Sequence, residues 1–458
     1  MFTEAKVKIE LLKRRLQHKS FLLLRWQERL LAGYWFVPSS MAIAAVALSS
    51  VMLAIDRLNT APWTGLIAEG YFGGPNGALM LLSTVAGSTI TVAGTVFSVT
   101  LVALALASQQ FGPRVLRNFM QDIHYQSVLG TFVATFIYCL LILRTVRVDP
   151  PGTFVPHLSV AVAILLALAG IVVLIYFIHH AATSINAWHI IREISGELEE
   201  NIIYMFSGAL GQAGSTTRSG DRIDRKDAQQ GRSIPAQVSG YIRSIDYQHL
   251  LRLAREHDLL LNVCLRPGKF VVSGSELAIV WPAERASRRL IVQISEAFIL
   301  GRERTPFQDV EFSIKQLVEI AIRAISPAIN DPFTAIRCID QLCAALCSLA
   351  EKDFPSGRIY DGDHRLRVMA DQVTFLELLD DAFHQIRQYS RTDVAVTIRL
   401  LEAITTIAEH AHLDMNRAAL LHHAEMIASS QTAQIYEPFD REDIARQYGL
   451  ALQTLQQK

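Results

Sequence analysis

Four long apolar stretches constrain this chain more than any other feature: residues 36–55, 79–108, 127–143 and 158–178, with no Asp, Glu, Lys or Arg in their centres. A helix needs about 17–25 apolar residues to cross the ~30 Å hydrocarbon layer of a bilayer. In that layer every backbone N–H and C=O must be bonded internally, and long helices meet the requirement. Tyr34, Trp35 and Phe36 stand at the entry to the first stretch, and such aromatics favour the membrane interface. The first stretch starts too late in the chain, and without a cleavage site, to read as a removed leader. Only 19% of the 458 residues are charged, against about a quarter in soluble domains. The expectation is a multi-pass α-helical membrane domain of four transmembrane helices over residues 31–200.

Basic residues set the orientation. Residues 1–30 carry Lys6, Lys8, Lys13, Arg14, Arg15, Lys19, Arg25 and Arg29. The later loops offer Arg57, then Arg114 and Arg117, then Arg147 with Arg144 at its edge. The positive-inside rule therefore puts the N-terminus in the cytoplasm, and four spans return the C-terminus to the same side. Leu12, Leu16, Leu23, Trp26 and Leu30 alternate with the bases of residues 1–30, the pattern of an amphipathic helix on an anionic membrane surface or on the protein itself. A formal net charge of zero gives no electrostatic case for nucleic acid as a partner.

In the second stretch, Thr84, Ser88, Thr91, Thr95 and Ser98 recur every three or four residues, flanked by Gly87 and Gly94. On a helix this is one stripe. Small residues let helices approach closely and hydroxyls can bond across the contact. The same hydroxyls can also form the wet wall of a pore, which four helices enclose only by assembling with further copies.

Beyond the fourth stretch, His179, His180 and His189 lack a carboxylate at ligand spacing and read as interfacial or packing residues. Residues 211–233 are polar and glycine-containing, a flexible linker. Residues 234–458 then read as a cytosolic α+β domain, mostly helical. A strand–helix–strand–strand unit occupies 236–282, with a Pro-Gly turn at Pro267 and Gly268, and residues 283–458 are helical apart from a hairpin with an Asp-Gly turn at Asp361 and Gly362. Cys139, Cys264, Cys338, Cys343 and Cys347 form no paired framework and no metal clip, so they read as free thiols.

The stretch SPAINDPFTA, residues 326–335, interrupts a long helical pattern. Pro327 ends the preceding helix, and Asp331 or Asn330 caps the next, with Pro332 in its first position. In the helix before it, Glu311, Lys315, Glu319 and Arg323 form a ladder at four-residue spacing, expected to be a solvated face. Arg302 and Arg304 could bind an anionic ligand or pair structurally with Asp331 or Asp340. With Asp309, Ser326, Asn330, Asp331 and Thr334 they make a candidate ligand or regulatory corner. His410 and His412 point about 200° apart on a helix and cannot chelate jointly. No catalytic set, metal set or cofactor site is legible, so no enzyme activity is expected.

The runs DVEFSIKQLVEIAIRAISPAINDPFTAIRCIDQL, GRERTPFQDVEF, RPGKFVVSG, GYIRSIDYQHLLRLA and TITVAGTVFSVTLVALALASQQFGPRVLRNF resemble the bacterial predicted-membrane-protein family called domain of unknown function 2254. The resemblance implies an integral protein of the bacterial inner membrane with a cytosolic C-terminal domain, and it brings no catalytic residues. The expectation is a homo-oligomeric channel or transport-like protein, in which the second span lines the axis and the cytosolic domain regulates passage of an ion or small solute. The alternative is a membrane-anchored sensor or scaffold whose cytosolic domain binds a protein partner or an anionic ligand.

Overall fold

A computed structural model describes residues 35–58, 74–112, 122–148, 154–184, 186–207, 231–431 and 437–457. The basic segment 1–30, Arg114, Arg117 and all of the expected linker up to residue 230 lie outside the described residues. The chain divides into two compact units, 1–186 and 187–458.

In the first unit, the apolar stretches form α1 (Phe36–Leu58), α2 (Gly74–Phe111), α3 (Ile123–Leu143) and α4 (His157–Ser184). Each overruns its expected bounds by a few residues, because capping lies outside the apolar stretch. Asp122 caps α3 by accepting from the His124 amide. Asp56, at the end of α1, caps α4 from a distance by accepting from the amides of Leu158 and Ser159, each at 3.0 Å. A carboxylate at that helix start also meets the positive end of the helix dipole.

Helix α3 packs against the other three and is the unit's centre. Its Gly130 has a packing reason. A Cβ there would stand 2.5 Å from the Met41 sulfur and 3.2 Å from Pro38 Cα of α1. Helix α2 turns Ala78, Leu82, Ala86, Thr89, Ala93 and Val96 inward, a seam of mostly small residues that permits close backbone approach.

The second unit opens with α5 (Ala187–Ser207) and continues into two antiparallel-dominated sheets. Strands β1 (Arg232–Pro235), β2 (Gly240–Ile245), β3 (Leu260–Val263), β4 (Phe270–Val271), β5 (Glu276–Trp281), β6 (Phe298–Gly301), β7 (Arg358–Tyr360) and β8 (Leu366–Ala370) assemble as β1-β5-β3-β8-β7 and β4-β2-β6. Between them lie α6 (Tyr247–Glu256), capped by Asp246, and α7 (Arg288–Glu296), capped by Ser287. The helical part comprises α8 (Val310–Ala324), α9 (Pro332–Ala350), α10 (Phe375–Tyr389), α11 (Val394–His410), α12 (Asp414–Gln431) and α13 (Pro438–Gln456).

Two expectations need correction. The expected linker ends early, because Arg232 and Ser233 already pair with Val280 and Ile279. The region after residue 283 holds a strand besides the expected hairpin: β6 pairs with β2, while the 358–370 hairpin is present and joins the larger sheet through a parallel β3–β8 pairing. All four expected stretches are long and apolar enough to cross a membrane, and a fifth described helix, α9, meets the same measure by length and composition. Only Arg337 and Asp340 charge its 19 residues, yet half of its most apolar window is buried inside the second unit.

Candidate functional site

The hydroxyl stripe of α2 lies on the outer surface of its unit. Thr84, Ser88, Thr91, Thr95 and Ser98 are exposed, as are Gly87 and Gly94. They sit two residues out of phase with the buried seam at Leu82, Ala86, Thr89, Ala93 and Val96, about 200° around the helix. A Cβ at either glycine would meet nothing within 4 Å. Thr84, Thr91 and Thr95 each donate to the carbonyl four residues back, and Ser88 donates three back to Val85. These four hydroxyls are thus satisfied within the helix while their oxygens keep acceptor capacity on an open face.

A polar cluster that the sequence reading missed joins α3 to α4. The His180 imidazole bonds Asp122 at 2.8 Å, and the Tyr176 hydroxyl bonds the His124 ring at 2.9 Å. Tyr176 and His180 stack with centroids 5.7 Å apart, and the His124 and His180 rings lie 4.9 Å apart. The carboxylate that spacing failed to supply comes from 58 residues away. His179 and His189 are exposed and outside this cluster. Among the described residues no three His, Cys, Asp or Glu side chains gather as a metal site.

In the second unit, the expected ligand corner is two places. Arg304 and Asp309 stand at the start of α8, whereas Ser326, Asn330, Asp331 and Thr334 stand at its far end, a helix of 15 residues or roughly 22 Å away. Arg304 grips Asp309 in a two-pronged pair at 2.8 and 2.9 Å, in place of Asp331 or Asp340. Asp340 pairs with Arg399 instead, and Arg302 is exposed. Asp309 also caps α8 through the Phe312 amide. Burial pushes its carboxyl up to about 6 against the opposing pull of Arg304.

The charge ladder is likewise not a solvated face. The Glu311 side chain is 7% exposed and accepts from Arg266 at 3.1 Å and Lys269 at 3.4 Å. Arg266 also reaches Asp371 and Glu377, while Lys315 pairs with Asp381 at 2.9 Å. Along the helix, Glu319 and Arg323 pair at 3.4 Å as the spacing anticipated, and Lys315 also reaches Glu311, at 3.9 Å. The ladder's first member, Glu311, is covered because the Arg266–Lys269 turn folds over it. Gly268 makes this possible: its φ is +88° and a Cβ would stand 2.3 Å from an Asp309 carboxylate oxygen.

At the far end, α8 stops at Ala324 and Asn330 adopts a left-handed φ of +52°. That turn lets the Asp331 amide reach the Ala324 carbonyl at 2.8 Å. Asp331 caps α9, accepting from the Thr334 amide at 3.1 Å and hydroxyl at 2.6 Å, with Pro332 next in line. Ser326 donates to the Arg323 carbonyl at 2.6 Å. Each polar residue of the corner therefore has a local structural task.

A family model described as a predicted membrane protein, DUF2254, matches residues 32–406. The chain belongs to that family. Uncharacterised proteins of Mycobacterium bovis and Mycobacterium tuberculosis are 29% identical to it over 419 residues, covering 89% of this chain and 78% of theirs. No solved structure matches it. The family match takes in both ends of α8, the α2 stripe and the Asp122–His180 cluster.

Helix α5 ties the two ends of the α8–α9 pair together. At its beginning, the Arg337 guanidinium of α9 lies 4.9 Å over the Trp188 ring. At its end, Tyr204 meets Phe307 and the Gln308 amide, and Phe206 packs edge-on against Phe354 beneath Lys352. Gln308 holds a left-handed φ of +60°, and its side chain also accepts from the Ile245 amide of β2. Periodicity on α5 shows the aromatic positions but not their partners, which lie over 100 residues on.

Proposed function

We propose that this protein is a four-span channel or transport-like protein of the bacterial inner membrane, with both termini cytoplasmic, in which α1–α4 cross and copies assemble along α2. The observation that carries this reading is the α2 stripe: five hydroxyl residues and two glycines in line, exposed on a helix whose opposite face is fully used for packing within the chain. Glycines on an open face admit a second backbone, and aligned hydroxyl oxygens offer acceptors to a passing ion or small solute. Helix α9 stays with the second unit, since its apolar stripe is spent on packing against α8 and α11. The second unit then acts as the regulator, because α5 begins within three residues of the end of α4 and runs along α8 and α9.

Reconstitution in liposomes tests the reading. Ion or solute flux that is lost on Gly87→Leu with Gly94→Leu, alongside loss of the oligomer in detergent, is the expected outcome. A stable wild-type monomer, or no flux across ions, pH and tension, would overturn it. The alternative of anion capture by Arg302 and Arg304 is weakened by Arg304's commitment to Asp309.

A further inference from the structure

The corner between α8 and α9 carries an apolar surface that its capping duties do not require. Phe333 is 76% exposed and Ile329 43% exposed, with Pro327 and Ala328 exposed beside them. Turns at protein surfaces favour Gly, Asn, Asp and Ser, and uncovered aromatic and aliphatic side chains grouped at one turn mark a contact surface. Phe333 occupies the second position of α9, one turn before Arg337.

The position of this corner follows from the chain. Arg337 lies over Trp188, and Trp188 stands four residues after Ser184, the end of the most apolar of the described helices. Four residues of chain span at most about 14 Å. The contacts at the other end of α5 fix its direction: Tyr204 and Phe206 meet Phe307 and Phe354, near the start of α8 and the end of α9. The corner is therefore held at the end of α5 where the chain leaves α4, and the Arg266–Glu311 network is held at the end roughly 30 Å farther along this 21-residue helix.

The chemistry at the near end matches a lipid headgroup layer. Trp188 is 46% exposed, and indole rings favour that layer. Phe and Ile side chains enter the acyl boundary of a bilayer, while an Arg beside them reaches up to phosphate oxygens. Asp331, the corner's own carboxylate, has both oxygens turned onto Thr334.

We propose that the corner at residues 326–333 is a membrane anchor, with Phe333 and Ile329 inserted among the lipid headgroups and Arg337 beside Trp188 at the phosphate level. This rests on the reading that α4 spans the bilayer. It fixes the second unit against the lipid at a second point besides its covalent connection.

Site-specific photocrosslinking in the full chain tests it. p-Benzoylphenylalanine is introduced at Phe333, and separately at Val172 on the exposed face of α4 and at Phe270, exposed near the Arg266–Glu311 network. The proteins are reconstituted in phosphatidylethanolamine–phosphatidylglycerol vesicles carrying an alkyne-tagged lipid and irradiated. Tagged-lipid adducts at Phe333 comparable to those at Val172, with background labelling at Phe270, support the anchor. Adducts at Val172 with background at Phe333, or a protein–protein crosslink at Phe333 in their place, would overturn it. Background at Val172 as well would remove the span and the anchor together.

Discussion

At the start of α8, Glu311 sits 7% exposed under Arg266 and Lys269, and Arg304 closes on Asp309; at the far end of the same α8–α9 pair, Ile329 and Phe333 stand uncovered. One end is sealed by charges drawn from distant parts of the chain, while the other is finished only by local caps. Sealing with ions makes the first end sensitive to any unbalanced charge, since a buried ion left without its partner is costly. Local capping makes the second end tolerant, because each cap contributes little and the apolar tip, Phe333 above all, is left exposed.

Substitutions ranked by effect sharpen this contrast. Glu311→Ala removes the centre of the network and leaves Arg266 buried beside fewer acids, so it is expected to cost about 3–5 kcal/mol in denaturant unfolding of the detergent-solubilised protein. A cost as small as that of a surface pair would break the comparison.

Acid titration comes next. Burial alone would raise Glu311, but Arg266, Lys315 and Lys269 hold it down at about 2 against an ordinary 4.5. A carboxyl with a depressed folded-state pKa contributes stability above its unfolded value and loses it as pH falls. Stability is therefore expected to decline between pH ~4.5 and ~2, by on the order of 3 kcal/mol at 1.36 kcal/mol per unit. Asp309, raised to about 6, acts in the opposite sense and favours the fold at low pH, losing that contribution as pH rises through 6. Melting curves of wild type and Glu311→Gln across pH 2–7 separate the two: the acid-side decline should vanish in the variant while the Asp309 arm stays.

Asn330→Ala puts a Cβ without a polar side chain into a left-handed conformation and should cost about 1 kcal/mol, whereas Asn330→Gly should be near neutral. Equal losses for both would give Asn330 a task beyond its backbone angle. Phe333→Ser should change the unfolding free energy by less than about 0.5 kcal/mol, as for surface positions generally. A large loss there would mean the tip is packed after all.

What could be read from sequence follows from how far each determinant reaches. The four apolar stretches and the Asp331–Pro332 cap were legible because length, composition and a cap within three residues decide them. Strands β1 and β6 were not, since RSIP and FILG are too short for a period to emerge. The burial of Glu311 depends on Arg266, 45 residues earlier, and the Asp122–His180 bond on a partner 58 residues away. Four-residue spacing along α8 described a ladder correctly and its surroundings wrongly. The stripe on α2 was legible as a stripe, but the helix face that packs within the chain is an alanine seam that composition does not distinguish from lipid-facing surface.

Gly130 has a consequence for how this family varies. Its missing Cβ leaves the space taken by the Met41 sulfur, with Pro38 backbone immediately behind. A methyl at 130 can be accommodated only if the side chain at 41 retreats, because the Pro38 Cα cannot. Relatives carrying Ala or Ser at the position of Gly130 should therefore carry a shorter side chain at that of Met41. The two positions, 89 apart in the chain, are expected to change as a pair across the family.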